Sequence, residues 1–198
     1  MRVIAGLLKG RKLLEIKAQN IRPTSDRVKE AMFSILGNRV INCRFLDLFA
    51  GSGSVGIEAY SRGADEVIFI DSNKESIKVL KDNLTITGIL DSIEVYNTDY
   101  SNAINKLTEK KKLFDIIFID PPYKKDIAYD AVKKIFKSNI LSNYGIIIIE
   151  QSKKDFVHEK IEAYELVKRK TYGNTLLLFY LSKVVDREEF NENMCISR

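Results

Sequence analysis

Asp120, Pro121, Pro122 and Tyr123 follow directly on the apolar run at residues 116–119, in the stretch FDIIFIDPPYKK. A strand buried on both faces has to end before two prolines, which lack the N–H that a ladder needs. The carboxylate therefore sits just past a strand's carboxyl end, the edge where open parallel sheets bind ligands. A carboxylate or carbonyl at a rigid turn can accept hydrogen bonds from an exocyclic amino group, and a tyrosine beside it can stack on the base carrying that group. The amine's lone pair is delocalised into its ring. Alkylation at that nitrogen then depends on placement and on electrostatic support as the new bond forms. A base must leave its stack to reach such a turn.

A second chemical pattern lies upstream in FLDLFAGSGSVGIEAYSRGADEVIFID. Gly51, Gly53 and Gly56 fit G-x-G-x-x-G between a strand and a helix, and Asp71 follows Gly51 by twenty residues at the end of the next strand. Such glycines permit a tight turn and close approach of a ligand to the backbone, while the terminal acid suits two ribose hydroxyls. Taken alone, this would predict a nicotinamide site. Asp47 argues against it, because a carboxylate just before the loop repels a pyrophosphate and attracts a ligand with an ammonium and a sulfonium. S-adenosylmethionine is such a ligand, and its ribose would suit Asp71. Asp99, ending the third strand, is read as a partner for the adenine amino group or as a helix cap.

The charge is uneven. Residues 1–40 hold nine Lys and Arg against three acids, a balance of +6, so the other 158 residues sum to −1 within the chain's +5. A basic segment ahead of the first strand suits a phosphate backbone. Lys9, Arg11 and Lys12 are the candidates within the arm. In IRPTSDRVKEAMFSIL, Thr24 or Ser25 can cap a helix whose apolar face recurs at Val28, Ala31, Met32, Ile35 and Leu36. Arg22, Thr24, Asp26 and Arg27 crowd its N-terminus, where backbone N–H groups favour anions; a phosphate or a cofactor carboxylate could sit there, and Arg22, Thr24 and Arg27 join the RNA-binding candidates.

These groups need a frame, and the pattern supplies one. Strands are expected at 44–49, 66–71, 93–98, 114–119 and 145–150, with helices near 54–62, 73–87, 100–111, 126–139 and 153–160. Strands alternating with helices of that length imply right-handed crossovers and a parallel sheet. YELVKRKTY and TLLLFYL around Gly173 and Asn174 predict a closing hairpin with an antiparallel strand. With 198 residues and 45% hydrophobic content, the chain suits one domain. Residues 1–40 form its basic arm and first helix, 41–183 the catalytic unit and 184–198 a polar tail.

No apolar run reaches the roughly 18 residues of a membrane span, and MRVIAGLLKGRKLLEIK interleaves too many charges for a signal peptide, so a cytoplasmic protein is expected. Cys43 and Cys195 match no metal spacing and are expected to be inert thiols. The lone histidine, His158, is expected at the surface. No metal is predicted, and the core is large enough for a monomer.

Together the motifs resemble a known family. DPPY after a buried strand is shared by adenine-N6 and guanine-N2 methyltransferases of nucleic acids. The fuller set MRVIAGLLKGRKL, RPTSDRVKEAMFSIL, LDLFAGSGSVGIEAYSRGA, FDIIFIDPPY and YGNTLLLFY resembles the bacterial 16S ribosomal RNA guanine-N2 methyltransferases of the RsmD type, which act on guanine 966 of the small subunit. The likeness spans residues 1 to about 183. It implies an α/β, Rossmann-like S-adenosylmethionine-dependent methyltransferase fold: a seven-stranded, mostly parallel sheet with a terminal antiparallel hairpin and a basic N-terminal extension. It also implies a cofactor site at Asp47, Phe49, Gly51, Gly53 and Asp71, joined by Asp99, and a guanine site at Asp120, Pro121, Pro122 and Tyr123. The basic arm would meet 16S rRNA, in an assembled or partly assembled small subunit. Ser54, Val55 and Tyr60 stand where the family usually has smaller or aliphatic residues. An amino-methyltransferase acting on adenine N6 in DNA, or on another RNA, is the alternative; no insertion here is long enough for the target-recognition region it usually needs. A dehydrogenase would leave Asp47 and the arm unexplained, and a non-catalytic nucleic-acid module would leave Asp120 idle.

Overall fold

The computed structural model describes residues 1–16, 24–122 and 126–182. Arg22, Tyr123, Cys195 and the tail expected over 184–198 lie outside them. Five parallel strands form the site-bearing half of the sheet: β1 (Arg44–Asp47), β2 (Glu66–Asp71), β3 (Glu94–Asn97), β4 (Phe114–Ile119) and β5 (Leu141–Ser152). They are joined through α2 (Ser54–Ser61), α3 (Lys74–Thr87), α4 (Tyr100–Glu109) and α5 (Ile127–Ser138), while α1 (Asp26–Leu36) precedes them. Three antiparallel strands complete the sheet: β6 (Lys160–Ile161), β7 (Tyr164–Tyr172) and β8 (Thr175–Ser182), in the order β3-β2-β1-β4-β5-β8-β7-β6.

Alternation along each strand explains the two layers. Phe45, Phe69, Ile116, Phe118, Ile146 and Ile148 face one cluster with α1, α2, α3 and the arm, whereas Leu46, Ile68, Ile117, Ile119, Ile147 and Ile149 face the other with α4 and α5. Both faces of the parallel strands are covered, as their continuous apolar sequence requires. The hairpin turns at Gly173 and Asn174 as expected, and Gly173 adopts φ +62° there.

Two expectations are corrected. The sheet has eight strands, since the two-residue β6 adds an edge beyond the hairpin. Residues 153–160 form no helix: a turn follows β5 and the chain then runs irregularly into β6. A crossover helix is needed only between parallel neighbours, and β5 is followed in the sheet by an antiparallel partner. Hydrogen bonds outside any helix hold the segment, from Lys153 N to Asn174 O and from Tyr180 Oη to His158 O. His158 is at the surface as expected, its ring 4.2 Å from that of Tyr129.

The arm folds back on itself, with Val3 N donating to Arg11 O, Gly10 N to Val3 O and Leu13 N to Met1 O. Val3, Leu8 and Leu13 enter the core, which leaves Lys9, Arg11 and Lys12 exposed. Ser61 receives the turn: its carbonyl accepts from Leu7 N and its hydroxyl from Leu8 N. Gly6, at φ +79°, lies so close that an added Cβ would fall 1.7 Å from Ser61 O. Gly6→Ala is therefore expected to lower stability by about 2–4 kcal/mol, combining a left-handed backbone penalty with overpacking. Urea denaturation measures it, and an unchanged midpoint would show that the arm does not need this seat.

The interior of α1 departs from the apolar pattern at Lys29, which is fully buried beside the equally buried Glu58 of α2. Val28, Met32 and Leu36 face the core as expected, joined by Phe33, while Ala31 and Ile35 are only half-buried.

Candidate active site

Every parallel strand ends, or nearly ends, in an acid at one edge of the sheet. In spatial order these are Asp99 just after β3, Asp71 on β2, Asp47 on β1, Asp120 after β4 and Glu150 near the end of β5. The glycine loop rises between Asp47 and Asp71. Its backbone is pinned at both sides, with Leu48 N donating to Phe118 O and Ala50 N to Ile70 O.

Asp47 lies buried beneath this loop and accepts a hydrogen bond from Gly56 N at 3.1 Å. Burial pushes its carboxyl up to about 7; the Gly56 N–H opposes that rise and the charge of Asp71 adds to it. Asp71 is half-buried, accepting from Gly51 N and from Asn73 N, both at 2.8 Å. Burial raises its pKa too, against those two hydrogen bonds. In this arrangement Asp47 and Asp71 shape the loop from below and from the side.

Gly51 and Gly56 are glycine for separate reasons. Gly51 turns at φ +54°, and a Cβ there would meet only Ile16 Cδ1 at 3.8 Å, so its surface remains open to a ligand. Gly56 packs on a buried ring, where a Cβ would lie 2.3 Å from Phe69 Cε1. Gly56→Ala is expected to cost about 1–3 kcal/mol, read from the denaturation midpoint. A wild-type midpoint would mean that Phe69 moves aside freely. Phe49 lies partly buried against Tyr100, ring centroids 5.5 Å apart.

Asp99 is exposed and caps α4, accepting from Ser101 N and Asn102 N at 3.0 Å each. The Asn102 N–H holds its carboxyl below the usual range. The cap reading is thus realised, and a contact to a ligand amine would use the remaining lone pairs.

Asp120 keeps part of its surface open, with Pro121 half-buried and Pro122 exposed beside it. Burial of the carboxyl, then the charges of Glu150 and Asp47, push its pKa well up; the Thr24 hydroxyl opposes the rise only when it donates to Asp120 and not to Glu150. Thr24 was expected to face a nucleic acid; it is buried instead, its hydroxyl 2.9 Å from Glu150 Oε2 and 3.4 Å from Asp120 Oδ2. Ser25 provides the cap of α1, accepting from Val28 N. Thr24 fits between the carboxylates because α1 starts over this edge of the sheet.

The basic candidates stay outside. Lys9 and Arg27 line one shallow groove between the arm and α1, together with Arg2, Asp26 and Glu30. Arg11 and Lys12 are exposed along the arm.

Two participants were missed. Glu150 ends the run IIIIE, and the same signal that marked Asp47, Asp71 and Asp120, an acid closing a buried strand, identifies it. Asn83 had no such signal. Fully buried on α3, its amide accepts from Leu14 N and donates to Leu14 O and Ser52 O, tying the arm to the glycine loop.

A doubly covered parallel sheet with a glycine loop after β1 and antiparallel strands at one edge is the fold of Rossmann-like methyltransferases. Residues 1–181 match the model of the family described as Conserved hypothetical protein 95, and the chain belongs to that family. The Haemophilus influenzae protein named Ribosomal RNA small subunit methyltransferase D is 37% identical over 174 residues, covering 87% of this chain and 89% of its own. The solved structure of Escherichia coli yhhF matches with a TM-score of 0.79 at 26% identity, over 93% of this chain and 99% of that one. The T. thermophilus 16S rRNA N2 G1207 methyltransferase, solved with AdoMet and guanosine, shares the fold at a TM-score of 0.66 and 22% identity, over 84% of this chain and 45% of its own. The relatives bear out the resemblance drawn from the motifs.

Proposed function

We propose that the chain transfers a methyl group from S-adenosylmethionine to the exocyclic N2 amine of a guanine in 16S rRNA of the small subunit. The observation that carries this reading is the adjacency of Asp47 and Asp120 at the ends of neighbouring strands, one under the glycine loop and one at the proline turn. The residues fit the cofactor: Gly51 leaves an open surface, Asp47 sets beneath the loop a carboxyl that is charged above about 7, and Asp71 stands at the next strand. When bound, S-adenosylmethionine supplies an electrophilic methyl on a sulfonium. Asp120 then orients the amine and accepts its hydrogen bonds, held in place by the prolines. The relative's name supports a small-subunit RNA as substrate, and the exposed Lys9, Arg11, Lys12 and Arg27 suit its phosphates. Among the described residues no helix is long and apolar enough to cross a membrane, and no group of three or more acids, histidines or cysteines is placed to hold a metal.

Nucleoside mass spectrometry of small-subunit RNA incubated with the protein and S-adenosylmethionine tests the reading, with naked RNA and assembled particles compared. New N2-methylguanosine is expected; methylated adenosine instead would transfer the site to the adenine-N6 reading.

Cofactor affinity is expected to depend on pH through Asp47. Below about 7 its carboxyl is neutral and above it charged, so binding of a cation strengthens as pH rises through 7. The limiting slope below 7 is about tenfold per pH unit for one linked proton. Since the folded pKa is raised from 3.8, stability without ligand falls as pH rises from about 4 to about 7 and then levels. Calorimetry across that range checks both trends, with Asp47→Asn expected to flatten the binding profile.

Replacing Lys9, Arg11 and Lys12 together by glutamine should reduce the salt dependence of RNA binding by about one unit of log–log slope per lost phosphate contact. An unchanged slope would return the arm to ordinary surface.

A further inference from the structure

Methyl transfer to an amine leaves a proton to be removed. As the C–N bond forms, the C–S bond of the donor breaks with its electron pair remaining on sulfur, and the nitrogen sheds one N–H proton. If that amine meets Asp120, as proposed above, the first acceptor is Asp120, and what stands behind it determines where the proton goes.

Among the described residues, the hydroxyl behind it is that of Thr24. Thr24 Oγ lies 2.9 Å from Glu150 Oε2 and 3.4 Å from Asp120 Oδ2. A hydroxyl carries one proton and two lone pairs, so it donates to one carboxylate and can only accept from the other. The shorter contact is an ordinary O–H···O bond, and places that proton toward Glu150. The longer contact is completed when Asp120 carries a proton on Oδ2 and donates it to Thr24. The surroundings favour that distribution, because the charged groups facing Asp120 among the described residues are Glu150 on β5 and Asp47 on β1, both acids. Thr24 itself is buried, so the hydroxyl's exchange with solvent is restricted.

We propose that Thr24 and Glu150 form a proton relay behind Asp120, in which the amine proton is taken up on Asp120 Oδ1 while the Oδ2 proton moves to Thr24 and the Thr24 proton to Glu150. The balance closes, since the nitrogen loses one proton, Glu150 gains one, and Asp120 and Thr24 end as they began with their protons exchanged. Glu150 returns its proton to solvent after turnover. Thr24 and Glu150 are positioning residues in this scheme, acting on the amine only through Asp120.

Glu150→Gln separates the relay from a structural tie. A glutamine carbonyl still accepts the Thr24 hydrogen bond, so a tie that merely holds α1 to the sheet edge survives, whereas an amide cannot receive the proton. Single-turnover methyl transfer by Glu150→Gln is expected to fall by about 10²-fold, the lower end of general acid–base effects, with cofactor and RNA affinities unchanged. Thr24→Val should fall likewise, and Thr24→Ser should recover most of the rate. A second readout needs neither cofactor nor RNA. In carbon-detected NMR of the unliganded protein labelled at aspartate carboxyls, Asp120 should titrate at lower pH in Glu150→Gln than in wild type, because a negative neighbour has been removed. Wild-type transfer rates in Glu150→Gln with an unmoved Asp120 titration would overturn the relay while leaving the methyltransferase reading intact. A wild-type protein that methylates no guanosine would defeat that reading instead, and the Asp120 titration would still decide whether the carboxylates share a proton.

Discussion

Asp120→Ala is expected to lower the single-turnover rate of methyl transfer by about 10²–10³-fold, the usual loss when one preorganised polar group is removed from a reacting centre. Cofactor affinity should barely move, since the glycine loop is pinned by Phe118 O, Ile70 O, Asp47 and Asp71 and makes no hydrogen bond to Asp120. Rapid-quench transfer of a labelled methyl group and calorimetry of cofactor binding separate the two effects. Asp120→Asn is the sharper probe: it keeps a carbonyl acceptor for the amine but cannot take its proton. An Asn variant midway between alanine and wild type would divide the role of Asp120 into orientation and proton uptake. Alanine at the wild-type rate would remove Asp120 from the chemistry altogether.

The largest effect on stability is expected at Glu58. Its carboxylate is fully buried and accepts from Ile4 N at 2.8 Å, Ala5 N at 3.0 Å and Arg62 Nε at 2.7 Å, with Lys29 Nζ 3.6 Å away. Lys29 is buried as well and donates to Arg2 O. Burial lowers its pKa, and the charge of Glu58 is the strongest influence in the opposite direction. Glu58→Ala leaves that ammonium inside without its main counter-charge and should cost about 3–5 kcal/mol. Pairing it with Lys29→Met should recover part of the loss, because the buried ammonium is gone while Ile4 N, Ala5 N and Arg62 still lack their acceptor. Urea denaturation of the two variants measures this, and a single variant as stable as wild type would show that Lys29 finds water by a small shift of the arm.

The contrast between these two sites explains which features could be read from sequence. Strands β2 and β4 were legible to the residue, because runs such as FDIIFI suit only an element covered on both faces. The acids at Asp47, Asp71 and Asp120 were legible for the same reason, as the places where such runs end. Thr24 and Lys29 were not. Both lie in a polar, charged stretch that reads as helix start and surface, and their burial depends on α1 docking over a sheet whose strands come later in the chain. The expected helix at 153–160 failed because an alternating rhythm was extended past the point where the sheet changes direction.

Asn83 has a practical meaning for anyone who wishes to move the basic arm onto another enzyme. One amide holds both the arm at Leu14 and the loop at Ser52, and the arm's other anchors include Glu58 and Ser61 of α2 and Lys29 of α1. The portable unit is therefore not the first sixteen residues. It is those residues together with the docking faces of α1, α2 and α3, and a recipient scaffold lacking an amide at the position of Asn83 would receive a basic tail with one fewer tie between it and the loop beside its methyl donor.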